Sequence, residues 1–193
     1  VAGPILRAQH ILPQLDNLPI PTMANIRNGL MLIMLGLIKK TMADMMAGPA
    51  STAFDATTPI SSLDAWVGAL AFSAQIYGDF SGYTDIAIGI ALLMGFHIPI
   101  NFNLPYFSTS PVDFWRRWHI SLSSWLRDYL YISLGGSRNG KRARNQFITM
   151  LLAGLWHGAS WTFVVWGAYM GVIVVVTQWL NERPALAKWV NSK

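Results

Sequence analysis

Two histidines are the residues in this sequence best suited to moving a proton. His157 sits in Gly154-Leu-Trp-His-Gly158, and between Asn145 and Asn181 the only other ionisable side chain is Tyr169. An imidazole titrates at about 6.5, so its neutral form can take a proton from a hydroxyl as a general base. The basic loop Gly135–Arg144 precedes this stretch, and at about 1.5 Å per residue His157 lies about 20 Å further along a helix. That is within the depth of a bilayer, where an ionisable side chain has to face a cavity or a partner. The plainer alternative is a neutral imidazole that satisfies a buried hydrogen bond. His119, in Phe114-Trp-Arg-Arg-Trp-His119, stands at the border of an apolar face. It is either a second acid–base group or a structural histidine. His10 and His97 have no comparable surroundings and read as structural or interfacial.

Arg116, Arg117 and Arg127 could hold anionic phosphates of a coenzyme or a lipid headgroup, or form an ordinary charged interfacial face. Asp79 and Asp85 flank Phe80-Ser-Gly-Tyr-Thr84 between two short apolar runs, Ala65–Gly78 and Ile86–Phe96. This pattern predicts a broken helix, with the two carboxylates either forming a proton or cation site or capping the free amides of the broken ends. Capping is favoured, because Asp85 stands where the second half would begin. Other chemistries find no support. There is no cysteine, no nucleophile elbow, no phosphate-binding loop and no histidine pair spaced for a metal.

The elements that must carry these residues follow from composition and punctuation. The chain is 53% hydrophobic and 12% charged over 193 residues, against about 25% charged in ordinary soluble domains. A soluble fold could not bury that much apolar surface, and disorder and nucleic-acid binding are excluded by the same composition. The reading is an all-α, polytopic membrane protein with broken or re-entrant helices and interfacial amphipathic ones. The net charge of +5 then belongs to loops that set orientation, and Arg138, Lys141, Arg142 and Arg144, unaccompanied by an acid, mark a cytoplasmic loop.

The Pro-rich stretch Val1–Pro21 predicts short interfacial structure. A first helix is expected over Asn25–Ala47, followed by a polar loop at 48–62. The chain from His97 to Pro111 reads as extended. Ser110, Pro111 and Asp113 form a helix start, and the spacing of Phe114, Trp115, Trp118, Leu122, Trp125, Leu126 and Tyr129 predicts one amphipathic helix over Pro111–Tyr131. The uncharged stretch after Asn145 is too long for one crossing and should break at His157-Gly-Ala-Ser160, leaving a span over Ala159–Leu180. Val1 opens the sequence without a start signal. The expectation is an internal piece of a longer chain, with residues 1–193 part of a single transmembrane domain and flanking helices missing at both ends.

Several consecutive motifs carry a family resemblance. They are Gln75-Ile-Tyr-Gly-Asp-Phe-Ser-Gly-Tyr-Thr-Asp-Ile-Ala-Ile-Gly89, Phe114-Trp-Arg-Arg-Trp-His-Ile-Ser-Leu-Ser123, Trp125-Leu-Arg-Asp-Tyr-Leu-Tyr131 and Gly154-Leu-Trp-His-Gly-Ala159, together with Ala2-Gly-Pro-Ile-x-Arg7. In this order they resemble the membrane-bound O-acyltransferase family, and within it the bacterial branch that acetylates alginate and other exported polysaccharides. The resemblance implies a buried funnel with a pair of histidines at its constriction, matched here by His157 and His119. It implies acyl transfer from a thioester, acetyl-CoA or another, to a hydroxyl, with no bound cofactor or metal. His157 would be the base, and His119 would orient the acyl group or stabilise the oxyanion. Arg116, Arg117, Arg127 and Trp156 would be candidates for contacting the donor. The implied setting is the bacterial inner membrane, with membrane lipid around the enzyme. Periplasmic acetyltransferase proteins and an exported polysaccharide would be the partners. The alternatives are a D-alanyl transferase of the same family that draws on a carrier protein, and, in a different class, a transporter or channel using Asp79 and Asp85.

Overall fold

Side-chain oxygens open four of the helices. Thr22 accepts from the Asn25 amide, Ser61 from Asp64, Ser110 from Asp113 and Ser160 from Thr162. Each satisfies an amide that the first turn leaves without a partner. The computed structural model describes residues 3–138 and 140–183, so Ala2 of the opening motif and Asn139 of the basic loop lie outside the described residues. Among the described residues every regular element is helical, and the chain forms two compact units, 1–101 and 102–193.

The first unit is dominated by two long antiparallel helices, α2 (Met23–Phe54) and α3 (Ser62–Leu93), preceded by the short α1 (Ala8–Asp16). The buried residues of α2 are Gly29, Gly36, Ala43 and Ala50, a strict seven-residue repeat of small side chains. Opposite them α3 buries Gly68, Ala71, Gly82 and Gly89. A Cβ added at Gly36 would lie 2.6 Å from the Gly82 carbonyl oxygen, and one at Gly89 would lie 2.6 Å from that of Gly29. The two backbones therefore approach as closely as glycine permits.

This packing overturns two expectations. The predicted polar loop at 48–62 starts too early, because α2 runs through Pro49 to Phe54. Pro49 removes one helical hydrogen bond, but Ala50 is buried and Ala53 lies against Gly68, so contact with α3 carries the helix past it. More consequentially, α3 is unbroken across Gly78–Asp85. Gly78 and Gly82 are points of close approach to Lys39, Ala43 and Gly36, not helix breakers. Two glycines cost a helix about 1 kcal/mol each in propensity, and here the contact they allow offsets it. Asp79 and Asp85 are consequently not structural residues at a helix break. They reach across to α2, where Asp85 pairs with Lys39 at 2.5 Å and Asp79 pairs with Lys40.

The second unit begins with extended chain, interrupted by a single 3-10 turn at Pro105–Phe107. The one amphipathic helix expected over Pro111–Tyr131 is in fact three pieces. These are α4 (Pro111–Arg117), α5 (Ile120–Leu126) and a π-helical turn, Arg127–Tyr131. Trp118 is extended and His119 adopts a left-handed backbone, φ 44° and ψ 55°. That corner is what divides the helix. It is followed by α6 (Arg142–His157) and α7 (Trp161–Asn181), which separate at Gly158–Ser160 where the sequence predicted a break. A Cβ on Gly167 would stand 2.7 Å from the Met150 carbonyl oxygen, so α6 and α7 also cross at glycine distance. Among the described residues α7 is the helix long and apolar enough to cross a membrane, with a mean hydropathy of 1.8.

Candidate active site

The base of α6 is fixed first. Asn145 is fully buried and donates to the Gly136 carbonyl at 2.8 Å, tying the basic loop to the start of the helix. Thr149 folds its hydroxyl back onto the Asn145 carbonyl at 2.7 Å. From there Gln146, Thr149, Met150, Ala153 and His157 descend one face of α6, at positions i, i+3, i+4, i+7 and i+11, and all line the same cavity. The cavity has a volume of about 410 Å³ and also takes in Trp115 and Arg116 from α4, Ser123 and Ser124 from α5, Arg127 and Tyr131 from the π-turn, and Trp166 from α7. Its walls are mostly apolar with a few polar groups directed inward, the usual character of a small-molecule site.

His157 stands at the last residue of α6, about 22 Å from Arg142 at about 1.5 Å per residue. Its imidazole makes no hydrogen bond or ion pair with any described residue. Rings surround it instead. Trp156 lies edge-on at 5.1 Å, Phe163 stacks at 6.0 Å and Trp166 is perpendicular at 5.3 Å. Gly158 leaves room for this arrangement, since a Cβ there would meet the Phe163 ring at 2.8 Å.

His119 is 2% exposed and does not line the cavity. It is joined to His157 through Trp156, whose ring is edge-on to His119 at 6.1 Å. Burial, with a smaller contribution from the neighbouring His157, pushes the His119 imidazole down to about 4, so it is neutral at physiological pH. A left-handed conformation at a non-glycine residue costs about 1–2 kcal/mol and tends to persist where function requires a side chain in one place. The π-turn is a second irregularity of this kind, closed by the Ile132 amide donating to the Arg127 carbonyl at 2.9 Å.

The three arginines singled out by sequence separate. Arg116 and Arg127 line the cavity, whereas Arg117 does not, and its Nε is engaged with Asp113 at 2.9 Å. Arg127 is held by Asp128 at 2.7 Å, which raises its already high pKa. Arg116 has no carboxylate partner among the described residues. It also borders a second, polar cavity of about 320 Å³, lined by Ser110, Asp113, Arg142, Gln178, Asn181 and Glu182. Trp156 is half exposed and sits between the histidines, outside the lining.

Sequence reasoning missed Trp115, Trp166, Gln146, Thr149 and Arg142 as parts of the site. Gln146, Thr149 and Ala153 could have been found by stepping back from His157 in helical increments. Trp115 and Trp166 belong to other helices, and nothing local marks them. Among the described residues no group of histidines and carboxylates is placed to hold a metal.

Comparison with known proteins adds a family and relatives. The model of the membrane-bound O-acyltransferase family matches residues 2–189. The chain is 50% identical over 189 residues to a probable alginate O-acetylase, AlgI, of Pseudomonas syringae pv. tomato, covering 95% of this chain and 36% of the relative. A peptidoglycan O-acetyltransferase of Helicobacter pylori is 45% identical over 181 residues, covering 91% and 34%. A teichoic acid D-alanyltransferase of Bacillus subtilis is 33% identical over 130 residues, covering 63% and 33%. The chain thus spans about a third of the length of these relatives.

Proposed function

This chain belongs to the membrane-bound O-acyltransferase family, and from that premise we propose that the full-length protein moves an acetyl group from an activated thioester to a hydroxyl of an exported polysaccharide such as alginate. The observation that carries the reading is His157, aimed into the cavity with neither ring nitrogen engaged by a described residue. A neutral imidazole so placed accepts the proton of the acceptor hydroxyl as its oxygen attacks the thioester carbonyl. Collapse of the tetrahedral intermediate expels the thiolate, which takes that proton back from the imidazolium. His119, neutral and buried outside the cavity lining, would help to orient the acyl group or stabilise the developing oxyanion by way of Trp156, whose ring lies between it and His157. The donor, acetyl-CoA or a comparable thioester, places its anionic end near Arg116 and Arg127, with Arg142 beyond them at the polar cavity.

In this reading the enzyme is a multi-pass protein of the bacterial inner membrane, and the acid-free cations of the loop around Arg138–Arg144 favour its cytoplasmic side. Periplasmic acetyltransferase proteins would complete the modification. D-alanyl transfer is the lesser reading, since identity falls from 50% for the O-acetylase to 33% for the D-alanyltransferase. The transporter reading loses its premise, because α3 is unbroken and Asp79 and Asp85 are each paired with a lysine.

The test is His157→Gln in the full-length protein, which keeps a hydrogen-bonding side chain of similar size but no base. Loss of a general base lowers the rate about 10²–10⁴-fold, so polymer acetylation in cells should disappear while the protein remains in the membrane. Retained acetylation at normal abundance would falsify the general-base assignment.

A further inference from the structure

A catalytic base is usually oriented by a third group that hydrogen-bonds its far nitrogen. His157 has no such partner among the described residues, and the groups that touch its ring there are aromatic. Three aromatic rings touch it, and they are not equivalent. Trp156 is the preceding residue and moves with the same backbone. Phe163, 39% exposed, stacks near the start of α7. Trp166 comes from the second turn of the facing helix, meets the imidazole at 90° and 5.3 Å, and lines the cavity beside it.

Trp166 is itself braced. On its other side Trp115 of α4 lies at 5.8 Å and 74°. Trp115 meets Phe114 edge-on at 5.5 Å, and Phe114 stacks on Trp118 at 5.5 Å and 17°. Trp118 precedes His119, whose ring returns to Trp156 and so to His157. The two histidines therefore sit in one circuit of rings, closed by the backbone between Trp118 and His119. Glycine contact between α6 and α7, at Gly154 and Gly167, sets the spacing that brings Trp166 opposite His157. Edge-to-face pairs at such separations are directional, which stacking on a loose ring would not provide.

We propose that Trp166 is a positioning residue for His157, fixing the plane of the imidazole by its edge-to-face contact. In this role it acts through His157. The inference rests on the general-base reading of His157. Removing the ring leaves the base present but free to rotate, so the reaction slows without stopping.

The experiment uses the full-length protein in a strain where it restores polysaccharide acetylation, with the acetylation rate normalised to its abundance in the membrane. Trp166→Leu should lower that rate about tenfold at unchanged abundance and melting temperature, and Trp166→Phe, which keeps a ring, should recover to within about threefold of the original. Trp166→Met, of greater length and likewise without a ring, should behave as Leu does and guards against poor packing of the first variant. The proposal is overturned if either ringless variant acetylates normally, if Phe fails as badly as Leu, or if abundance collapses in both ringless variants, which would make Trp166 a core residue only. His157→Gln run in parallel separates the two claims. An inactive His157→Gln beside a normal Trp166→Leu removes the positioning role alone. An active His157→Gln removes the general base, and the positioning role with it.

Discussion

The α2–α3 hairpin and the helices from α4 to α7 are built from similarly apolar sequence, yet they solve different problems. The hairpin is regular from end to end. Small residues every seven positions draw two long helices into backbone contact, and four of its charges pair across the helices as Lys39–Asp85 and Lys40–Asp79. The second unit is irregular wherever the candidate chemistry is. His119 is left-handed, Arg127–Tyr131 forms a π-turn, α6 ends at His157, and a cavity lies among them. Where local preference and packing agree, the chain is smooth. Where they conflict, the strain marks positions at which side-chain placement has outweighed backbone comfort.

The comparison can be broken most severely at the hairpin. Gly36→Leu forces a side chain against the Gly82 carbonyl and Ile86, where even a Cβ would stand 2.6 Å away. Overpacking of this sort costs about 1–3 kcal/mol or more, so the full-length variant should be lost from the membrane or melt well below the parent in detergent. Gly48→Ala on the same helix meets nothing within 4 Å and should leave abundance and melting unchanged or slightly improved. Equal behaviour of the two variants would show that the glycine repeat does not hold the hairpin.

A smaller effect separates the two ion pairs. Asp85→Asn strands Lys39 in a partly buried position and should cost about 1–2 kcal/mol, between the exposed and the buried limits. The double change Lys39→Met with Asp85→Leu should recover most of that stability in thermal melts. A double variant as unstable as the single one would show that the pair itself, not the stranded charge, matters.

His119 offers a test by pH. Its folded-state pKa, about 4, lies below the usual 6.5, so the unfolded chain binds the proton more readily between those values. The contribution of the neutral buried ring is fully present above about pH 6.5, is lost as pH falls towards 4, and changes no further below that. Melting temperature of the full-length protein should follow this course. His119→Asn, which tolerates a left-handed backbone, should flatten it. A histidine of ordinary pKa would leave parent and variant parallel.

The smallest effect is expected at Lys40 and Asp79, a pair with both ends well exposed. Replacing Lys40 by Gln should change stability by no more than about 0.5 kcal/mol. A larger loss would mean that the rest of the full-length protein covers this pair.

The sequence alone was enough for several features because each rests on a local cause. The side-chain cap at Ser110 depends on a hydroxyl beside the first free amides, and the separation of α6 from α7 depends on Gly158 and its neighbours. The all-helical class follows from apolar runs and composition. His157 stood out because an uncharged stretch of chain isolates it. The tertiary structure decided the rest, and in each instance the cause lies far away in the chain. Gly78 and Gly82 read as helix breakers until α2 is placed against them, since glycine weakens an isolated helix and strengthens one that must touch another backbone. Asp79 and Asp85 could be recognised as lysine partners only once Lys39 and Lys40 had been brought across the hairpin. The corner at Trp118–His119 interrupts a stretch with uninterrupted helical periodicity, because stacking of Phe114 on Trp118 and burial of His119 outweigh the propensity of that segment. The same holds for Trp166, whose place beside His157 depends on how closely two glycines let α6 and α7 approach. Pattern can be read along one helix, but a contact between two helices depends on the shape of both.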